Sequence, residues 1–277
     1  MMWTILSGIT RAFDWLLKPF ELLNPWVGLS VVSVVTGVVM LLIFGKTSNQ
    51  RRITETKEKL KAYIMEMWIF RNDTRAMFSA IGSVVVNNLR YLQHSLRPLV
   101  FIFVPVLLIM VQLGIRYANA PMKPGDVSIV SVELRDGVRP TESGVDLLPG
   151  VGYRILSPAL RIDSSREIQW KVLAELPGRR ELTFVTPEGI VTKEFVVQWR
   201  GRLGTVGAVR ARAGSWDAFL YPSEPPLGRG SAVRAITLVY PARHLAFLRF
   251  SVNWLIAFFI ISLAAGYALK GLFGIDV

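Results

Sequence analysis

Three apolar runs decide what this chain can become. Trp26 to Phe44 (WVGLSVVSVVTGVVMLLIF) holds nineteen residues without a charge. Leu99 to Ile115 (LVFIFVPVLLIMVQLGI) and Phe250 to Leu269 (FSVNWLIAFFIISLAAGYAL) are the second and third uncharged runs. As a helix, about 20 apolar residues cross a hydrocarbon core of about 30 Å. A mean hydropathy of +0.41 over 277 residues fits no ordinary soluble domain, and the apolar residues are clustered rather than spread. The expected fold class is therefore an α-helical membrane protein with three transmembrane helices, at 25–45, 99–116 and 250–270.

The segments between the spans differ in kind. Residues 46–98 are charged and helical in pattern. Ile53, Leu60 and Met67 recur every seven residues, a two-helix seam. Arg71-Asn72-Asp73-Thr74 is a turn signal, and Arg75 to Leu96 supplies a second apolar stripe. This reads as an antiparallel helical hairpin. Residues 117–249 instead show short alternating runs such as VSIVSVELR, EIQWKVLAEL and VTKEFVVQW. Turn signals including Pro177-Gly178 and Pro187-Glu188-Gly189 separate them. That spacing predicts an all-β, sandwich-like domain after a linker at Ala118 to Gly125. Gly214 to Ser231 reads as a long irregular loop.

Charge places these segments. Lys46, Arg51 and Arg52 closely follow the first span and Arg97 precedes the second, so the positive-inside rule puts the hairpin in the cytoplasm. The N-terminus and the 117–249 domain then lie outside, and the 271–277 tail lies inside behind Lys270. The formal net charge of +12 suits solubility and anionic lipid rather than nucleic acid, because no groove-reading motif accompanies it. Residues 1–24 read as an amphipathic interfacial helix with a stripe at Ile5, Ile9, Phe13, Leu16, Phe20 and Leu23. Arg11, Asp14, Lys18 and Glu21 break up any signal-peptide core.

Chemistry is scarce. With no cysteine, a disulfide framework and a thiolate metal site are excluded, and the two histidines, His94 and His244, lie far apart. No nucleophile elbow, phosphate loop, zinc-protease or calcium-loop motif is present. The reading is non-enzymatic, with no cofactor and no metal. The residues singled out are instead intramembrane polar groups. Ser30, Ser33, Thr36 and Gly37 share one face of the first span. They are either a small-residue packing face or the lining of a hydrated groove. Pro105, Gln112 and Arg116 make the outer half of the second span the most polar intramembrane site; Arg116 either snorkels to headgroups or contributes charge to a groove. Met65, Met67 and Met77 gather near the hairpin tip, either filling gaps in a small core or forming an adaptable contact surface.

The order of interfacial helix, Asn24-Pro-Trp-Val-Gly-Leu29, a span ending Thr36-Gly-Val-Val-Met-Leu-Leu-Ile-Phe44-Gly-Lys-Thr-Ser-Asn-Gln50, charged hairpin and a return span with Val104-Pro105 and Gln112 resembles the YidC/Oxa/Alb insertase superfamily, in its short three-span branch. The resemblance implies a membrane insertase or chaperone working through a hydrophilic groove. Its partners would be the lipid bilayer, nascent or unassembled membrane proteins, and the ribosome. Alignment on Thr36 and Phe44 puts Met40 where the family carries a basic groove residue. Lys46 or Arg116 is then the charge available from either end. The alternatives are a scaffold that binds an envelope protein through its β domain, and a transporter subunit pairing in an oligomer.

Overall fold

The computed structural model describes residues 2–21, 23–47, 58, 61–62, 65, 74–199, 203–247 and 250–273. The chain divides into two compact units. One comprises Met1–Gly28 and Met110–Trp254, the other Leu29–Ile109 and Leu255–Val277.

Helices flank a β region. Helix α1 spans Met2–Leu17 and runs into a 3-10 turn at Lys18–Phe20. Helix α2, Pro25–Thr47, starts on a proline, which suits a first turn because no intrahelical N–H is needed there. Asn24 caps it, its Oδ1 accepting from Trp26 N at 3.1 Å. Helix α3 runs unbroken from Thr74 to Tyr117, 44 residues, or about 66 Å at 1.5 Å per residue. Two segments expected to be separate, the second hairpin arm and the return span, are therefore one helix that continues through Pro98 and Pro105. The first arm falls almost wholly outside the described residues. Among the described residues two helices, α2 and the Leu99–Tyr117 part of α3, are long and apolar enough to cross a membrane.

The β region belongs to the first unit. Strands β1 (Val127–Leu134), β3 (Tyr153–Ile155), β5 (Glu167–Ala174), β8 (Val209–Ala211) and β9 (Val233–Leu238) form one sheet in the order β3-β5-β1-β9-β8. Strand β4 (Leu160–Ile162) also pairs with β5. Strands β2 (Asp146–Leu147), β6 (Gly178–Thr186) and β7 (Gly189–Val197) form a second sheet. Every strand pairing is antiparallel. The period-two alternation sends Val130, Val132 and Leu134 of β1 and Ile168, Trp170 and Val172 of β5 inward. There they share one core with Leu182 and Phe184 of β6 and Phe195 of β7. Trp170 meets Phe184 edge-on across the two sheets, centroids 5.7 Å apart. Two antiparallel sheets closing on one core make the expected sandwich-like architecture.

Three details differ from expectation. Residues 118–125 are not a free linker, because Asn119 bridges Ala242, Met122 bridges Val197, and Val206 N donates to Ile115 O at 2.8 Å. The end of α3 is thus knitted by backbone hydrogen bonds into the β domain. Residues 214–231 are not wholly irregular. They carry helix α4 (Trp216–Leu220), capped by Ser215, whose Oγ accepts from Ala218 N at 3.1 Å. Finally, the apolar run expected as a third span is not helical from Phe250. Phe250–Val252 is strand β11, paired with β10 (Leu245–Phe247), and helix α5 covers only Trp254–Leu269. β-branched and aromatic residues at 250–252 satisfy strand and helix equally in a short apolar run, and pairing with β10 decides it.

In the second unit α2 and α5 touch through their smallest residues. A Cβ placed on Gly37 would collide with the Ser262 carbonyl oxygen and lie 3.2 Å from Gly266 N. The two backbones approach this closely because Gly37 lacks a side chain, a contact of the kind small residues allow between membrane helices.

Candidate functional site

The most polar cluster beside the apolar helices joins α1 to α3. Gln112 and Arg116 are four apart on α3, and Thr10 and Asp14 are four apart on α1, so each pair shares one helical face. The Arg116 guanidinium is 1% exposed. Its Nη2 donates to Asp14 Oδ1 at 2.5 Å and to Thr10 O at 3.0 Å. Its Nη1 donates to Gln112 O at 2.6 Å and to Gln112 Oε1 at 3.0 Å. Gln112 Nε2 donates to Thr10 Oγ1 at 3.0 Å, and Thr10 in turn donates to Leu6 O at 2.9 Å. The Phe13 ring lies 5.8 Å from the guanidinium carbon, within cation–π range.

This arrangement corrects one expectation. Arg116 neither snorkels to headgroups nor faces an open groove, because both terminal nitrogens are engaged inside the protein. Helix α1 meets the protein with a face other than its apolar stripe. Leu6, Thr10 and Leu17 are buried, whereas Ile5, Trp15 and Leu16 are exposed. A buried guanidinium without acceptors costs far more than an exposed leucine, so the polar network sets the rotation of α1.

The other singled-out residues fall elsewhere. Ser30, Ser33, Thr36 and Met40 lie on α2 in the second unit, whereas Gln112 and Arg116 belong to the first. Ser33 Oγ and Thr36 Oγ1 each donate at 2.7 Å to the carbonyl four residues back, Leu29 O and Val32 O. Both residues are buried, which gives them the character of a packing face, while Ser30 and Met40 are half-buried. Lys46 is exposed in the last turn of α2. Met65 is helical and exposed, Met77 lies in α3, and Met67 lies outside the described residues.

A second buried ion pair, absent from the sequence reading, lies in the β domain. Lys193 of β7 is 0% exposed. Its Nζ donates to Glu224 Oε1 and, at 2.5 Å, to Gly207 O. Glu224 Oε2 accepts from Glu194 N at 2.8 Å. Burial lowers the Lys193 ammonium and raises the Glu224 carboxyl from their ordinary values, each opposed by the partner's charge. Gly207 is required here, since a Cβ would stand 2.5 Å from Glu224 Oε1. The available signal was parity, as Lys193 occupies the same inward register as Phe195. A lysine at such a position demands a buried acceptor.

Beside the first network lies an open cleft of about 420 Å³, lined by Asp14, Trp15, Lys18, Glu21, Arg179 and Thr205 among others. Among the described residues no three His, Cys, Asp or Glu side chains gather as metal ligands would. No protein-family model, no curated protein and no solved structure matches the chain.

Proposed function

We propose that this protein is an integral membrane, non-enzymatic scaffold of the insertase kind, assisting the insertion or assembly of membrane proteins. The observation that carries the reading is the occurrence of α2 and α3 together in one chain. Both are long and apolar enough to cross a membrane, and α3 continues as unbroken helix far into the polar 74–98 segment. Exposed apolar side chains along them, including Val31, Val35, Val39, Phe101, Phe103 and Val104, suit hydrocarbon rather than water. In this reading the N-terminus and β domain lie outside and the hairpin and C-terminus inside.

Helix α5 adds support as a third, short span. Sixteen residues reach about 24 Å, less than a hydrocarbon core of about 30 Å. A short span is accommodated by local thinning of the bilayer, which lowers the cost of passing polar segments across. Thinning is then the driving contribution, since Met40 carries no charge and Arg116 is committed to Asp14. The substrate-facing positions are Ser30 and Met40. The hairpin positions Met65, Met67 and Met77 would meet nascent chains or the ribosome. Photo-crosslinkers at Met40, in cells synthesising a membrane protein arrested during insertion, should yield adducts with the arrested chain. If Met40 captures only lipid while a control position on a known insertase captures the chain, the reading fails.

A second reading, a scaffold gripping an envelope protein through the β domain, is favoured by Trp216. This ring is 70% exposed and stacks on Phe219 with centroids 5.3 Å apart. Solvent-facing aromatic stacks are frequent binding anchors. Recovery of one stoichiometric partner, lost in W216A, would establish it.

A further inference from the structure

The cleft beside α1 has a composition and a depth that the insertion reading does not use. Its depth follows from packing within the first unit. A Cβ on Gly28, in the first turns of α2, would stand 2.7 Å from Tyr117 Oη, 3.3 Å from Phe20 Cβ and 3.7 Å from Leu17 Cδ2. Leu17 and Phe20 therefore rest where α2 begins and where α3 ends. In a bilayer those two helix ends mark the headgroup boundary, where Trp and Tyr rings collect. Trp26, at the start of α2, donates its Nε1 to Ala246 O at 2.7 Å on this same boundary. The cleft is lined by residues of the same segment, Asp14 to Glu21, and in such a bilayer it would open at headgroup depth. Trp15, 79% exposed, and Leu16, half exposed, turn away from the protein beside it, as an interfacial helix presents its apolar side to lipid.

Charge in the cleft is balanced and partly preorganised. Asp14 is held by Arg116. Arg179 is held by Glu194 Oε1 at 2.5 Å and Thr205 O at 3.3 Å. Lys18 and Glu21 are exposed, and neither forms an ion pair among the described residues. Two carboxylates and two cations in one cleft disfavour a purely anionic ligand and a purely cationic one alike. They complement a ligand that carries both signs a few bonds apart.

We infer that this cleft binds the zwitterionic headgroup of a membrane phospholipid, its ammonium toward Asp14 and Glu21 and its phosphate toward Lys18 and Arg179. The inference rests on the proposed membrane integration but not on insertase activity. A bound lipid would fix the depth of α1 and, through the Asp14–Arg116 pair, the outer end of α3.

The test uses the full chain in nanodiscs of equimolar phosphatidylethanolamine and phosphatidylglycerol. Lipids retained after detergent release are counted by native mass spectrometry. Phosphatidylethanolamine should be enriched over phosphatidylglycerol by about tenfold, the worth of one good charge-assisted contact, and K18A/E21A should abolish the enrichment. Because both side chains are exposed, the variant should unfold at the same temperature as the parent. Equal retention of the two lipids, or an enrichment unchanged in K18A/E21A, overturns the inference. Free phosphoethanolamine at millimolar concentration should displace nothing; displacement would assign the cleft to a soluble zwitterion and overturn the lipid assignment. Extraction of the protein by alkaline carbonate would instead show that membrane integration itself had failed, a result separable from the lipid count.

Discussion

Arg116 illustrates how one side chain can orient an element. Its guanidinium is removed from solvent, so each polar hydrogen needs an acceptor, and α1 supplies two of them. Removing the carboxylate leaves a buried cation whose remaining partners are neutral. D14A should therefore lower unfolding stability by about 3 kcal/mol, with D14N recovering part of the loss, as read by denaturant titration in detergent. Asp14 is half exposed, which keeps the expected loss at the low end for a buried pair. Lys193 and Glu224 lie deeper, and E224Q should cost about 3–5 kcal/mol because it strands an ammonium in the core. The double variant K193M/E224L should come close to the parent, since an apolar pair of similar volume has no desolvation to offset. Thermal unfolding of the three proteins checks both statements. Tyr240 adds a pH dependence. Its hydroxyl accepts from Val196 N at 3.0 Å, and burial raises it above its ordinary 10.0, as burial also raises Tyr153. Above pH 10 the unfolded chain has released protons that the folded chain still holds. Stability should thus fall as pH rises past about 10, by about 1.4 kcal/mol per pH unit for each such group. Y240F should remove one group's share of that slope in alkaline unfolding experiments. Of these residues, Gln112 and Arg116 were legible as a polar site within an apolar run. Their partners were not, because Thr10 and Asp14 lie about a hundred residues away on a helix whose apolar stripe pointed elsewhere.

Among the elements, the helices and strands with strong periodicity were legible, and their junctions were not. Strands β1, β5, β6, β7 and β9 match their alternating runs. The short strands β2, β4, β10 and β11 did not announce themselves, because two or three residues carry no period and only a partner strand defines them. The hairpin was expected to end at residue 98 and the return span to begin at 99, yet α3 runs through both, Pro98 included. A proline removes one backbone donor, and the remaining turns on both sides are long enough to carry the helix past that loss. The α2–α5 contact depends on Gly37. G37L must push apart two backbones that no rotamer can accommodate, so fluorescence-monitored unfolding in detergent should show a lowered midpoint, whereas V35L on the exposed side should leave it unchanged.

At the scale of the molecule, the β domain shares its unit with the ends of the helices around it. The first unit unites α1, the beginning of α2, the end of α3 and the β sandwich, so any load on the β domain reaches α3 through backbone hydrogen bonds at Ile115, Ala118 and Met122. Limited proteolysis should accordingly spare the 117–126 segment that its composition marks as a linker, since its backbone is paired rather than solvated. The sequence by itself determined the classes: apolar helices of spanning length, a polar helical segment between them, an antiparallel β domain and an amphipathic start. Each of these follows from local period and composition, which are properties of neighbouring residues. Only the tertiary structure decided which face α1 turns inward, that Arg116 finds Asp14 and Lys193 finds Glu224, and that Phe250 to Val252 pair as a strand. Those outcomes depend on desolvated polar groups meeting partners distant in the chain, and no local pattern encodes a partner.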